Sequence, residues 1–94
     1  MSGPDPDTIA RAILDCPDVA ALSDAVATYL PGRRVAGVVI RGARAPIVEV
    51  HIVARWGSPM TGIAEQVRTA VRAVAPEAAV NVVIDDLELG PVTG

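Results

Sequence analysis

Between Ile47 and Trp56 apolar and polar residues alternate without a break, and this run constrains the fold more than any other. Val48, Val50, Ile52, Ala54 and Trp56 share one parity, and Glu49, His51, Val53 and Arg55 share the other. Successive side chains of a strand point to opposite faces, so this segment reads as a strand with one packed and one partly wet face. Val80-Asn-Val-Val-Ile-Asp-Asp86 repeats the inward alternation at Val80, Val82 and Ile84. Between the two, Ile63, Val67, Ala70, Val71 and Val74 recur at helical spacing, which predicts a helix over 62–75. Glu65, Gln66, Arg68, Thr69 and Arg72 fall on its outer face. Thr61 reads as its N-cap, with Glu65 in the first turn and Pro76 as the stop. A strand–helix–strand order implies a parallel, right-handed crossover.

The N-terminal half is shorter-ranged. Ile9, Ala10, Ile13 and Leu14 predict a helix over 7–15, capped by Asp5 or Asp7, with Pro6 in its first turn and an Asp7–Arg11 pair outside. Cys16-Pro17 ends it, because a residue before proline is pushed out of helical geometry. Val19 to Leu30 reads as two short strands, with a continuing helix over Ala20 to Ala27 as the alternative. Pro31-Gly32 is a turn. Val35 to Ile40 reads as one strand, whose Gly37 marks a bulge or a close approach. Residues 1–5 and 90–94 read as frayed tails. The expectation is a single domain over 1–94 with an ordered core of about 6–89. Its class is α+β, a single mixed β-sheet with two helices packed on one face.

Composition removes several functions. Apolar residues make up 51% of the chain, which suits a folded domain rather than a disordered one. A net charge of −3 disfavours nucleic acid and anionic membranes as partners. There is no positively charged, apolar leader and no apolar run near the roughly 20 residues of a membrane span, so the expected location is cytoplasmic. The one cysteine, Cys16, has no internal partner for a disulfide and reads as a structural core residue.

Candidate chemistry is sparse. His51, the sole histidine, shares its strand face with Glu49 and Arg55, and Asp85 has the parity to join them. Such a cluster suggests acid–base work, half a metal site or a small ligand-binding regulatory domain. The plainer reading is a cross-strand charge cluster on a wet face. Gly57 to Gly62 opens a helix after a strand but lacks the Gly-Lys-Ser/Thr of a phosphate loop. Arg33, Arg34, Arg41 and Arg44 could track phosphates, although only Tyr29 lies nearby for stacking. Trp56 and Met60 read as core first and as a partner anchor second. No catalytic residue, cofactor or metal is expected.

Five pieces in order resemble the alkaline-shock-protein family, also described as envelope stress response proteins. They are Cys16-Pro-Asp-Val-Ala-Ala-Leu22, Tyr29-Leu-Pro-Gly-Arg-Arg-Val-Ala-Gly-Val38 and Val48-Glu-Val-His-Ile-Val-Ala-Arg-Trp-Gly57 with Pro59, then the helix from Ala64 to Val71, and Val80 to Asp86. Asp18 stands where that family usually has glycine. The resemblance implies a non-enzymatic, cytoplasmic protein acting as an interaction or scaffold module. It also implies a homo-oligomer, a membrane-anchored protein partner, or both. The interaction surface expected from the residues comprises Glu49, His51, Val53, Arg55, Trp56, Met60 and Asp85.

Overall fold

A computed structural model describes residues 4–42 and 44–88. The chain runs α1 (Pro6–Leu14), β1 (Val19–Leu22), β2 (Ala27–Leu30), β3 (Arg33–Ala36), β4 (Val38–Arg41), β5 (Ile47–Arg55), α2 (Met60–Val74) and β6 (Ala79–Glu88). It is an α+β fold with a mixed sheet, as the alternation and helical stripes predict. No helix among the described residues is long and apolar enough to cross a membrane.

β5 is the spine. β6 pairs with it in parallel along its whole length, from Ile47↔Ala79 to Arg55↔Glu88. On the other edge of β5, β1 and β4 lie end to end, both antiparallel to it. β1 takes Ala54 to Ile52 and β4 takes Val50 to Ile47. His51 sits at the seam, where its N–H donates to the Gly37 carbonyl and its carbonyl accepts from Ser23 N–H, at 2.8 and 2.9 Å. β2 and β3 form a separate two-stranded hairpin.

Gly37 makes this arrangement possible. The segment Val35–Ile40 is two strands, not the one the sequence suggests, because Gly37 breaks it between hairpin and main sheet. Its φ is +79°, and a Cβ there would lie 2.7 Å from the His51 carbonyl oxygen and 2.8 Å from Leu22 Cβ. Only glycine lets the chain turn this tightly against β5.

Both helices cover one face of the sheet. Ile9 and Ile13 of α1 and Ile63, Val67 and Val71 of α2 close over Val48, Val50, Ile52, Ala54 and Val80. All but Ile9 and Val80 of these are fully buried. Asp5 caps α1, accepting from Asp7 N–H and the Thr8 hydroxyl, so the frayed tail expected over 1–5 does not extend to it. Residues 1–3 and 89–94, where the remaining tail expectations fall, lie outside the described residues.

Several local expectations are corrected. Asp7 pairs with Arg33 of the hairpin rather than with Arg11, fastening β3 to α1. α2 starts at Met60, with Pro59 as its cap residue and no side-chain cap from Thr61. Its first turn holds no acidic side chain, so Glu65 lies beyond it. Gln66 is not on the outer face: it is half-buried and exchanges bonds with Asp18 N–H and the Asp18 carboxylate, latching α2 to the turn after α1. Val74 is exposed at the end of the helix. Cys16 is buried and its thiol contacts the Ala12 carbonyl at 3.7 Å, which suits the structural role expected of it.

Candidate functional site

The uncovered face of the sheet carries the odd positions of β5, and the structure joins several of the expected residues there. His51 Nε2 lies 2.8 Å from Glu49 Oε2, and Nδ1 lies 2.9 Å from Asp85 Oδ2. Arg41, at the end of β4, lies 3.8 Å from the other Glu49 oxygen. A polar strip thus crosses the open face from β4 over β5 to β6.

Alternation puts Asp85 on this face, but its place in the ladder depends on an irregularity that alternation does not predict. β6 stays in register with β5 up to Ile52↔Ile84 and resumes at Val53↔Asp86, leaving Asp85 as an inserted residue. The bulge bends and re-aims the strand locally. It brings the Asp85 carboxylate over His51. It also reverses the parity of the remainder of β6, so Asp86 and Glu88 pair with the outward Val53 and Arg55, and Leu87 joins the partly buried residues around the core. Without it, strict alternation would turn Asp86 inward and Leu87 outward.

The electrostatics arise from this geometry. Burial lowers the His51 pKa, but the two carboxylates outweigh that effect and the net shift is upward. Glu49 is held below its ordinary range, chiefly by its bond to His51. Asp85 is also held low, first by the Ser23 hydroxyl and then by His51. Two carboxylates accept only if both ring nitrogens carry protons, so the arrangement holds an imidazolium. With both nitrogens engaged, neither is open to bind a metal or to take a proton from a nucleophile without first losing a bond. Among the described residues no group of three or more His, Cys, Asp or Glu is set to hold a metal ion.

The other expected surface residues fall nearby. Arg55 bonds the Pro17 carbonyl through Nε at 3.1 Å and meets Glu88 at 3.4 Å. Val53 is half-buried on the same face. Trp56 is not core, as parity favoured, because β5 ends at Arg55 and the turn at Gly57 swings it out; it is 67% exposed. Met60 is 51% exposed on the first turn of α2. With Ser58, Pro59 and Leu87 they border an open groove of about 490 Å³. A second hollow of about 280 Å³ continues from Met60 past Ile84 to Asp85 and Asp86.

The arginines of the 33–44 region are mostly engaged within the chain. Arg33 pairs with Asp7, Arg34 with Asp24 and Arg41 with Glu49, so three of the four face a carboxylate of this chain. Sequence reasoning missed Ser23, a buried hydroxyl at the seam that accepts from Ala25 N–H and influences Asp85. Its signal was weak: one serine between two strand-like runs. Comparison with protein-family models, with curated proteins and with solved structures finds no match.

Proposed function

We propose that this chain is a non-enzymatic interaction or scaffold module of the alkaline-shock, envelope-stress-response type, working in the cytoplasm through self-association or a membrane-anchored protein partner. The observation that carries the reading is the exposure of Trp56 and Met60 on an open groove beside the sheet face opposite α1 and α2. In a chain with no Phe and one Trp, leaving that indole in water forgoes the largest apolar side chain available to the core. Trp is enriched at the centres of protein interfaces, and a rim of mixed charge such as Arg55, Asp86 and Glu88 suits one. The order of the five sequence pieces resembling that family supports the biological setting.

The test is a Trp56→Ser/Met60→Ser variant. Wild-type and variant proteins are compared by sedimentation velocity and by cross-linking in cells with membranes retained. The expected result is a self-assembled species or a specific membrane-protein cross-link in the wild type, with the cross-link lost in the variant and the melting temperature unchanged. A wild type that neither associates nor cross-links would refute the proposal.

A further inference from the structure

Among the described residues β6 joins the sheet through β5 alone, so its other side is an edge. That edge is closed at both ends and open in the middle. Ala79 N–H turns toward the β5 side and donates to the Pro46 carbonyl. The Val80 carbonyl faces the opposite way and is met by Arg68 Nε of α2 at 3.5 Å. In a parallel pair successive residues alternate in which side their main-chain groups face, so those of Val82 and Ile84 also look off the sheet. Past the bulge at Asp85, the Leu87 N–H is taken by its neighbour Asp86 Oδ1 at 2.8 Å. The Glu88 carbonyl turns back to Trp56 N–H at 3.0 Å. Arg68 therefore stands at one end of a short window, and Asp85 and Asp86 stand at the other.

Arg68 Nη1 also holds Glu65 Oε1 of its own helix at 2.6 Å, so the guanidinium offers the edge its remaining donors; with acidic groups at the other end, the edge matches itself when turned end over end. We propose that a second copy of this chain pairs with β6 in antiparallel fashion about a two-fold axis at Val82, joining two sheets into one. This names the surface for the self-association half of the function proposed above and rests on that reading. In this register Val82 opposes Val82 of the second copy, and Val80 opposes Ile84. All of these residues present outward-facing main-chain groups, so each pair can exchange two hydrogen bonds. Arg68 leaves the Val80 carbonyl to the incoming strand and reaches Asp86 of the second copy. On the open face Asn81 meets Val83 of the second copy, covering a side chain that is 37% exposed in the single chain. A parallel pairing would instead set the acidic ends side by side. The two-fold uses the same edge in both copies, so the assembly closes as a dimer.

The experiment combines charge reversal with a register probe. Sedimentation velocity over a concentration series is expected to show a monomer–dimer equilibrium for the wild type. Arg68→Glu and Asp86→Arg should each weaken it on the order of tenfold, because each turns two attractive contacts into repulsive ones. The double exchange Arg68→Glu/Asp86→Arg should restore it. Neither residue belongs to the His51 network, and thermal melts check that each variant folds. Under oxidation, Asn81→Cys/Val83→Cys should give a covalent dimer, whereas either single change should not. A monomer at every concentration overturns the proposal. So does a dimer indifferent to both reversals, or a double variant that fails to cross-link. A dimer that survives both reversals but is lost in Trp56→Ser/Met60→Ser would overturn the edge pairing alone and leave the proposed function standing. A membrane-protein cross-link from a strict monomer would do the same.

Discussion

Gly37→Ala tests the fold at its tightest point. Two costs combine. At φ +79° an alanine sits in the left-handed region, which disfavours an L side chain by about 1–2 kcal/mol. The new methyl would also lie 2.7 Å from the His51 carbonyl oxygen and 2.8 Å from Leu22 Cβ. The first is backbone and cannot swing away, and relieving such overlap typically costs about 1–3 kcal/mol. Together these give roughly 2–5 kcal/mol, against a total of about 5–14 kcal/mol for a domain of this size. Melting should fall by about 10–30 °C. Urea titration followed by circular dichroism should show a lower midpoint with an unchanged slope. Gly62→Ala is the control: its Cβ would meet nothing within 4 Å on α2, and helix propensity predicts a gain of up to about 1 kcal/mol. A Gly37→Ala protein within about 0.5 kcal/mol of wild type would refute the close approach of the hairpin to β5.

Three further outcomes are expected. His51 should titrate above its ordinary value of 6.5 in a two-dimensional NMR series; its stabilisation is then complete below that value and fades as pH rises through the folded pKa, whereas that of Glu49 and Asp85, both shifted down, fades only as pH falls through their lowered values. His51→Gln should abolish the alkaline decline in urea midpoint, and an ordinary or lowered His51 pKa would rule out the two-carboxylate clamp. Val50→Asp should leave the chain unfolded, since Val50 is fully buried and an unpaired carboxylate there costs several kcal/mol, on the order of the whole stability; native-like melting of this variant would contradict the packing. Native Trp56 fluorescence should resemble that of the unfolded chain and be open to quenching by iodide, and a blue-shifted, protected indole would contradict its exposure.

The spine and its helix were legible because each obeys one period. Val48, Val50, Ile52 and Ala54 alternate, Ile63, Val67 and Val71 recur every four residues, and all of these are buried. The clamp was half legible: Glu49 and His51 share a parity, and alternation along Val82 to Asp85 puts Asp85 on their face. What holds it over His51 is a bulge, which depends on pairing with β5 and leaves no local signature in Val82 to Asp86. Trp56 was misjudged for a related reason. Parity extends a strand indefinitely, whereas the strand stops where its ladder does, and Gly57 at φ +114° turns the chain away. Gln66 looked like an outer-face residue because a polar side chain carries no sign of a specific partner such as Asp18. Position 37 advertised itself as glycine, but the sheet it would leave and the one it would join were a matter of tertiary pairing.

The end-to-end placement of β1 and β4 along β5 means that they are, in effect, one strand interrupted. Residues 23–37 leave that line at Ser23 and return to it at Gly37, with His51 bonding to both sides of the break. The excursion with its hairpin is therefore an insert in an otherwise continuous edge, and the register on either side is fixed by β5 and not by the insert's length. Loop-closure cost grows only slowly with length, by roughly 0.6 kcal/mol per doubling. This is accordingly a grafting position at the hairpin tip: a longer turn spliced between Leu30 and Arg33 should be accommodated without re-threading the sheet, provided the core residue Val35 and the glycine at the return point are kept.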